Sequence, residues 1–266
     1  MKDNSKLIVT VTTANSWIFP DVKNWATNDD DLVRDVIDCY EAGASIAHIH
    51  LPRGREKIIV EKVRDQCDII IQAGMSSDSI PEREGDFQAK PEMMSIILNH
   101  HDEHFPNLNV NKLHSLEELE NYCKKCDKFG IKPEWEVWNT GSYWNLRYLI
   151  EKELIKRPHF MTLFFNWPGG TWSPPTIEEY LHRIKYIPKN SIYSVSVMGN
   201  EQLKILSFVI NNGGNIRVGT EDFPFVRKGK IARNNSQIVK HFVDLSKRLG
   251  REIADPSEAR KIIGIH

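Results

Sequence analysis

Among the residues able to do chemistry, Ala47-His48-Ile49-His50-Leu51 stands out as a β-rich run carrying two imidazoles. Side chains two apart on a strand share a face, so His48 and His50 point together while Ile49 points away. Paired imidazoles suit a divalent ion such as zinc. The alternative is two histidines satisfied by backbone or carboxylate partners. A second run, Gly213-Gly-Asn-Ile-Arg-Val-Gly-Thr-Glu-Asp222, sets Arg217, Gly219 and Glu221 on one face, with Asp222 at the exit into a loop. Glu221 could complete a site of two histidines and one carboxylate, leaving a coordination position open for substrate. An interior Arg–Glu salt bridge is the plainer reading. In a third run, residues 132–141, Glu134 and Glu136 share a face. Two carboxylates inside a strand need cationic partners or a metal. A solvated edge strand would relieve them, but Trp135 and Trp138 argue against one.

The elements that must position these residues alternate from end to end. Strand-like runs fall at 7–13, 45–51, 68–73, 93–98, 134–138, 160–166, 192–198 and 215–219. Helical patterns fall at 29–42 (capped by Thr27 or Asn28, with acidic residues in the first turn), 57–66, 115–129 and 235–249, and a short helix starts at 256–260. This alternation predicts a parallel sheet covered by helices. Eight units without a composition break favour a closed α/β architecture, the (β/α)8 TIM barrel, as one domain over 1–266 with a C-terminal helical tail. His48 and His50 then lie near the C-terminal end of the second strand, where barrel active sites are built. Only the first strand separates the second from the eighth, which carries Glu221. The polar segment 74–90 reads as a functional loop. No Gly-x-Gly-x-x-Gly turn follows the first strand, which argues against a dinucleotide site.

Composition narrows the partners. With 40% hydrophobic and 27% charged residues, the chain can bury a sizeable core. A formal charge of −1 and no basic stripe exclude nucleic acid as the expected partner. No apolar run approaches the roughly 20 residues of a membrane span. Met1 to Lys6 does not read as a signal peptide. Four cysteines make no disulfide framework, so a reducing cytoplasm is expected.

Taken together, the motifs resemble the β-keto acid cleavage enzymes nearly end to end. The likeness runs through Glu41-Ala-Gly-Ala44 with His48-Ile-His50, Lys90-Pro-Glu-Met93, and Pro133-Glu-Trp-Glu-Val137 with Gly141. It continues through Pro168-Gly-Gly170, Gly213-Gly214 with Arg217, Gly219 and Glu221-Asp222, then Lys228-Gly229, Asn235 and the tail at Pro256-Ser-Glu-Ala-Arg260. The resemblance implies a TIM barrel, one bound zinc ion per chain and a homo-oligomer, usually a tetramer. It implies a retro-Claisen exchange in which a β-keto acid and acetyl-CoA become acetoacetate and a new CoA thioester. Carried across by position, His48, His50 and Glu221 are the metal ligands, Asp222 the general base, and Arg217 the organiser of its charge relay. Glu136 lies in the pocket, and Ser95 takes the place of a substrate-contacting threonine.

The chain departs from the family pattern at several pocket positions. Trp17 stands where a carboxylate binds a substrate amine. Gly74 stands where a serine binds substrate, with Ser76 and Ser77 close by. Leu51-Pro-Arg53 replaces a charged pair, and Asn99-His-His-Asp-Glu-His-Phe105 replaces a loop of small residues. Trp17 and Gly74 together lead to the expectation of a neutral or apolar substrate tail. His100, His101 and His104 read as a solvated loop or a substrate contact rather than a second metal site. Cys123-Lys-Lys-Cys126 reads as half-exposed helix surface. Arg227, Lys228, Lys230 and Arg233 read as solvated surface that could meet CoA phosphates. Two other readings stay open: a metal-dependent barrel lyase or hydrolase without CoA, and a catalytically silent metal-binding scaffold.

Overall fold

The computed structural model describes residues 6–13, 18–19, 22, 26–76, 79–106, 108–227 and 229–265. Trp17, Ser77 and Lys228 therefore lie outside the described residues. Eight parallel strands close the expected barrel: β1 (Val9–Thr12), β2 (Ile46–Ile49), β3 (Ile70–Gly74), β4 (Met93–Ile97), β7 (Lys132–Val137), β8 (His159–Phe165), β9 (Ser191–Val197) and β10 (Asn215–Gly219). Neighbours run β1-β10-β9-β8-β7-β4-β3-β2 and back to β1. Two hairpins are added to this frame, β5 (His100–Phe105) with β6 (Leu108–Leu113) and β11 (Phe225–Arg227) with β12 (Lys230–Ile231).

Helices α1 (Asp29–Glu41), α2 (Glu56–Arg64), α3 (Arg83–Ala89), α4 (Leu116–Phe129), α5 (Ser142–Glu151), α6 (Ile177–Ile184), α7 (Gln202–Asn211), α8 (Asn235–Arg248) and α9 (Pro256–Ile263) follow the strands in turn. Five of their starts carry a side-chain cap: Asn28, Ser115, Thr176, Asn234 and Asp255 each accept a backbone N–H of the first turn. Each barrel strand has two jobs. Alternate residues such as Val9, Val11, Ala47, Ile49, Ile71, Ala73, Met161 and Leu163 pack outward against the helices in the main core. The intervening residues fill the barrel interior. At its N-terminal end, Ile8, Ile46, Ile70, Met93 and Phe160 form an apolar layer closed by Ala254, Ala259 and Ile263 of the C-terminal segment.

Three expectations need correcting. The Asn99–Phe105 stretch is not a loop: β5 and β6 pair antiparallel from His100↔Leu113 to Phe105↔Leu108. Segment 74–90 is not loop throughout, since α3 occupies Arg83–Ala89. Cys123 and Cys126 are not half-exposed but 3% and 2% exposed, because they sit one turn apart on the buried face of α4. Burial pushes the Cys123 thiol up to about 12, so it is inert at neutral pH.

Candidate active site at the barrel mouth

β2 delivers His48 and His50 to the interior at its C-terminal end, with ring centroids 5.2 Å apart and nearly perpendicular planes. β10 stops at Gly219, and the chain turns so that Glu221 sits in the turn rather than on the strand. Gly219 must be glycine: it has φ +144, and a Cβ there would lie 2.2 Å from the Thr12 carbonyl of β1. That close approach swings Glu221 over the two rings. Its Oε2 lies 3.7 Å from His48 Nε2 and its Oε1 lies 3.5 Å from His50 Nε2.

The polar groups behind this cluster set its charge state. Gln72 pairs in register with His48, and its Oε1 accepts from His48 Nδ1 at 2.8 Å. An amide oxygen only accepts, so Nδ1 carries the proton and the Nε2 lone pair faces the cluster. Burial, followed by the Arg217 charge, holds the His48 imidazole down to about 3, so the ring is neutral. Burial works to raise Glu221, but Arg217 and the two histidines outweigh it and hold the carboxyl far below the usual range. Arg217 Nη2 donates to Glu221 Oε1 at 3.1 Å and to Asp222 Oδ1 at 3.0 Å, while its Nε spans both Asp222 oxygens at 3.3 and 3.2 Å. Ser196 donates to Asp222 Oδ2 at 2.8 Å. Burial raises Asp222 above the ordinary carboxylate range, and Arg217 only partly offsets this.

A small cavity opens beside the cluster. His48, His50, Gly74, Ser95, Glu136, Arg217 and Glu221 all line it. Asp222 does not: it is fully buried beneath the guanidinium of Arg217. Trp138 Nε1 donates to Glu136 Oε2 at 3.0 Å, and the Ser95 hydroxyl hydrogen-bonds the same carboxylate. Burial raises Glu136, and burial followed by the Glu136 charge pushes Glu134 up to about 8. Above the cavity stands an aromatic roof in which Trp138 stacks on Phe164 at 4.5 Å and meets Trp167 edge-on at 5.3 Å.

Sequence reasoning missed Gln72, which orients His48, and Glu103 of β5, which lines the cavity. Ser76, expected close to the Gly74 position, lines the same wall, and of the three histidines read as a solvated loop or a substrate contact His101 lines the cavity. Gly74 has no room for a serine. A Cβ there would come 2.7 Å from His48 Nε2 and 3.0 Å from His50 Cε1.

The donor set could hold a metal ion. One ligand atom from each of His48, His50 and Glu221 lies within 4.8 Å of the others, and Glu221 Oε2 has no hydrogen-bond partner among the described residues. A neutral imidazole, an ionised carboxylate and a glycine that leaves the rings clear fit a small divalent cation.

Fold and site define a (β/α)8 barrel whose C-terminal mouth encloses a small polar pocket beside a cluster able to hold a metal ion. The chain belongs to the β-keto acid cleavage enzyme family, which matches it over residues 6–265. It is 32% identical over 252 residues, 89% of each chain, to the 3-keto-5-aminohexanoate cleavage enzyme of Acetoanaerobium sticklandii. To the enzyme of the same name from Fusobacterium nucleatum it is 29% identical over 250 residues, again 89% of each. It is 29% identical over 143 residues to the 3-dehydrocarnitine:acetyl-CoA trimethylamine transferase of Rhizobium meliloti, spanning 54% of this chain and 47% of that one. The structure of ObcA in binary complex with oxaloacetate shares the fold, with a TM-score of 0.73 at 14% identity over 91% of this chain and 67% of its own.

Proposed function

We propose that the chain is a zinc-dependent β-keto acid cleavage enzyme that exchanges acyl groups between a β-keto acid and acetyl-CoA, giving acetoacetate and an acyl-CoA. The observation that carries this reading is the convergence of His48, His50 and Glu221 on a pocket that Arg217 also lines. These three would hold one zinc ion per chain, and the bound ion would act as a Lewis acid toward the keto oxygen. Arg217 Nη1 is buried without a hydrogen-bond partner among the described residues, which leaves a donor for the substrate carboxylate. Arg217 also fixes Asp222, whose raised affinity for a proton suits it to general-base work. Ser95 acts through Glu136, holding that carboxylate at the pocket wall. Glu136 is the second candidate base, favoured by its place on the wall that Asp222 does not reach.

The resemblance also supports a homotetramer, the eight units without a composition break support one domain over 1–266, and four cysteines without a disulfide framework support a cytoplasmic site of action. No helix among the described residues is long and apolar enough to cross a membrane.

Incubating zinc-loaded protein with acetyl-CoA and a panel of β-keto acids tests the reading. Acetoacetate and a new thioester are expected to form together. Turnover that ignores CoA would mark a metal-dependent lyase or hydrolase instead, and silence with every acid a metal-binding scaffold. In the same assay Asp222→Asn is expected to keep its metal and lose about 10²–10⁴-fold in rate, the scale of a general base. Near-normal turnover would transfer that role to Glu136.

A further inference from the structure

The β5–β6 hairpin has no part in the chemistry described so far, yet it puts two polar side chains into the pocket. Strand alternation explains how. His101, Glu103 and Phe105 of β5 are buried, whereas His100, Asp102 and His104 turn outward. The outward residues are accounted for: His100 meets Asn111 at 3.1 Å, and His104 meets Asp102 at 2.9 Å and Asn109 at 3.1 Å. The three histidines therefore do not converge. On the inner face, His101 Nε2 and Glu103 Oε2 lie 2.5 Å apart, both residues are 2% exposed, and both line the cavity.

Burying a hydrogen-bonded polar couple costs desolvation and is weak evidence of a stabilising role. The hairpin does not need this one for anchorage. Its outer edge is clasped by the loop after β8: His104 N donates to the Pro168 carbonyl at 3.0 Å and Gly170 N to Asp102 Oδ2 at 2.9 Å. The approach is so close that a Cβ on Gly169 would sit 1.8 Å from the Asp102 carbonyl. Phe105 adds an apolar anchor against Trp167, edge-on at 5.9 Å.

Topology says what the pair faces. The metal-capable cluster is carried by the end of β2 and the turn after β10, strands that flank β1, and β7 lies four strands from β1 in either direction. The hairpin connects β4 to β7, so His101 and Glu103 stand on the wall opposite the cluster. They share that wall with Glu136, which sets two carboxylates against one imidazole. Trp138 Nε1 and the Ser95 hydroxyl already serve Glu136 on that wall, whereas His101 Nδ1 has no hydrogen-bond partner among the described residues.

We propose that His101 and Glu103 are specificity-determining residues that read the far end of the substrate and select β-keto acids whose tail carries a hydrogen-bond donor, a hydroxyl or an ammonium. The assignment rests on the β-keto acid reading above. It runs against the apolar tail expected from Trp17 and Gly74, because that argument did not count the inner face of a hairpin that the sequence read as a loop.

Binding of three chain-matched acids to the zinc-loaded full chain, measured by calorimetry, tests the proposal: 3-oxohexanoate and its 5-hydroxy and 5-amino derivatives. At least one donor-bearing acid is expected to bind roughly 10–100-fold tighter than the plain acid, the scale of a hydrogen bond to a charged group. In Glu103→Gln and in His101→Phe, which keeps a ring beside Trp138, the ratio between donor and plain acids is expected to fall to about threefold or less. Loss confined to the ammonium acid in Glu103→Gln would identify charge as the feature read, and equal loss for both would identify the hydrogen bond. Equal affinities in the wild-type protein, which needs no variant to fold, would overturn the proposal. So would a preference that survives in both variants. Acids that bind in the expected order but never exchange with acetyl-CoA would strike at the function instead, and binding of none of the three would strike at both.

Discussion

The two ends of the barrel are built from the same strand faces, two residues apart. At the base the inward layer is Ile46, Ile70, Met93 and Phe160. One step along each strand it becomes His48, Gln72, Ser95 and Thr162, all buried. Arg217 and Glu134 complete this polar floor, and Glu136, Glu221 and the paired residues of β5 rise above it. The polar layers leave atoms without partners, including Gln72 Nε2, Glu134 Oε2 and Arg217 Nη1 among the described residues. Unpaired buried polar atoms cost stability, and the apolar base sealed by α9 offsets that cost. The difference teaches that tightness and chemistry are divided along the barrel axis rather than between strands.

The division is sharpest if each end can be damaged alone. The largest effect is expected at the mouth. Replacing His48 and His50 together by Ala should abolish stoichiometric zinc in elemental analysis of chelator-washed protein, and turnover with it, while the apo fold persists. A double variant that keeps wild-type metal content would show that the cluster is not the site. At the base, Phe160→Ala removes a fully buried ring and should cost about 3–5 kcal/mol in denaturant unfolding. Zinc content should stay at one per chain, and a change in metal content would mean that the two ends are coupled.

The smallest effect concerns pH. Burial and the neighbouring Glu136 hold the Glu134 carboxyl at about 8 against an ordinary 4.5. The folded state therefore binds this proton more tightly than the unfolded chain, and the resulting stability is full below 4.5 and lost as pH rises through about 8. Glu134→Gln cannot ionise, so its melting temperature should fall less between about pH 6 and pH 9, by a few degrees on the usual scale for a domain this size. Identical slopes in both proteins would assign the alkaline loss to another group.

Much of this was legible in the sequence, and each failure has a physical cause. The second strand was expected at 45–51 and is Ile46–Ile49; the eighth was expected and found at Asn215–Gly219. Apolar runs with helices between them are a strong signal, and His-x-His needs only strand periodicity to be seen. The β5–β6 hairpin was missed because its inner face meets a pocket rather than the core. His101 and Glu103 are polar where an inward strand residue is expected to be apolar, so the alternation was invisible. Gln72 was missed because only the register that sets it beside His48 gives it a role. At Cys123 and Cys126 the intervening lysines drew attention to charge rather than to the helical face. Asp222 does lie at the exit from the last strand, but the turn closed by Phe223 N on the Gly219 carbonyl also buries it beneath Arg217, which strand periodicity does not show.

The seam between β1 and β10 has a consequence for synthesis. Ile8 N donates to Asn215 Oδ1 across 207 positions of chain. At roughly 5–20 residues per second, the ribosome delivers that partner about 10–40 s after the first strand. Until then one side of β1 is an open edge, a template for pairing with another nascent chain. Arg217, Glu221 and Asp222 all arrive on or just after the same late strand. The nascent barrel thus holds two histidines without their carboxylate until its last gap closes, and a metal captured at that moment would bind the finished barrel in preference to any open form.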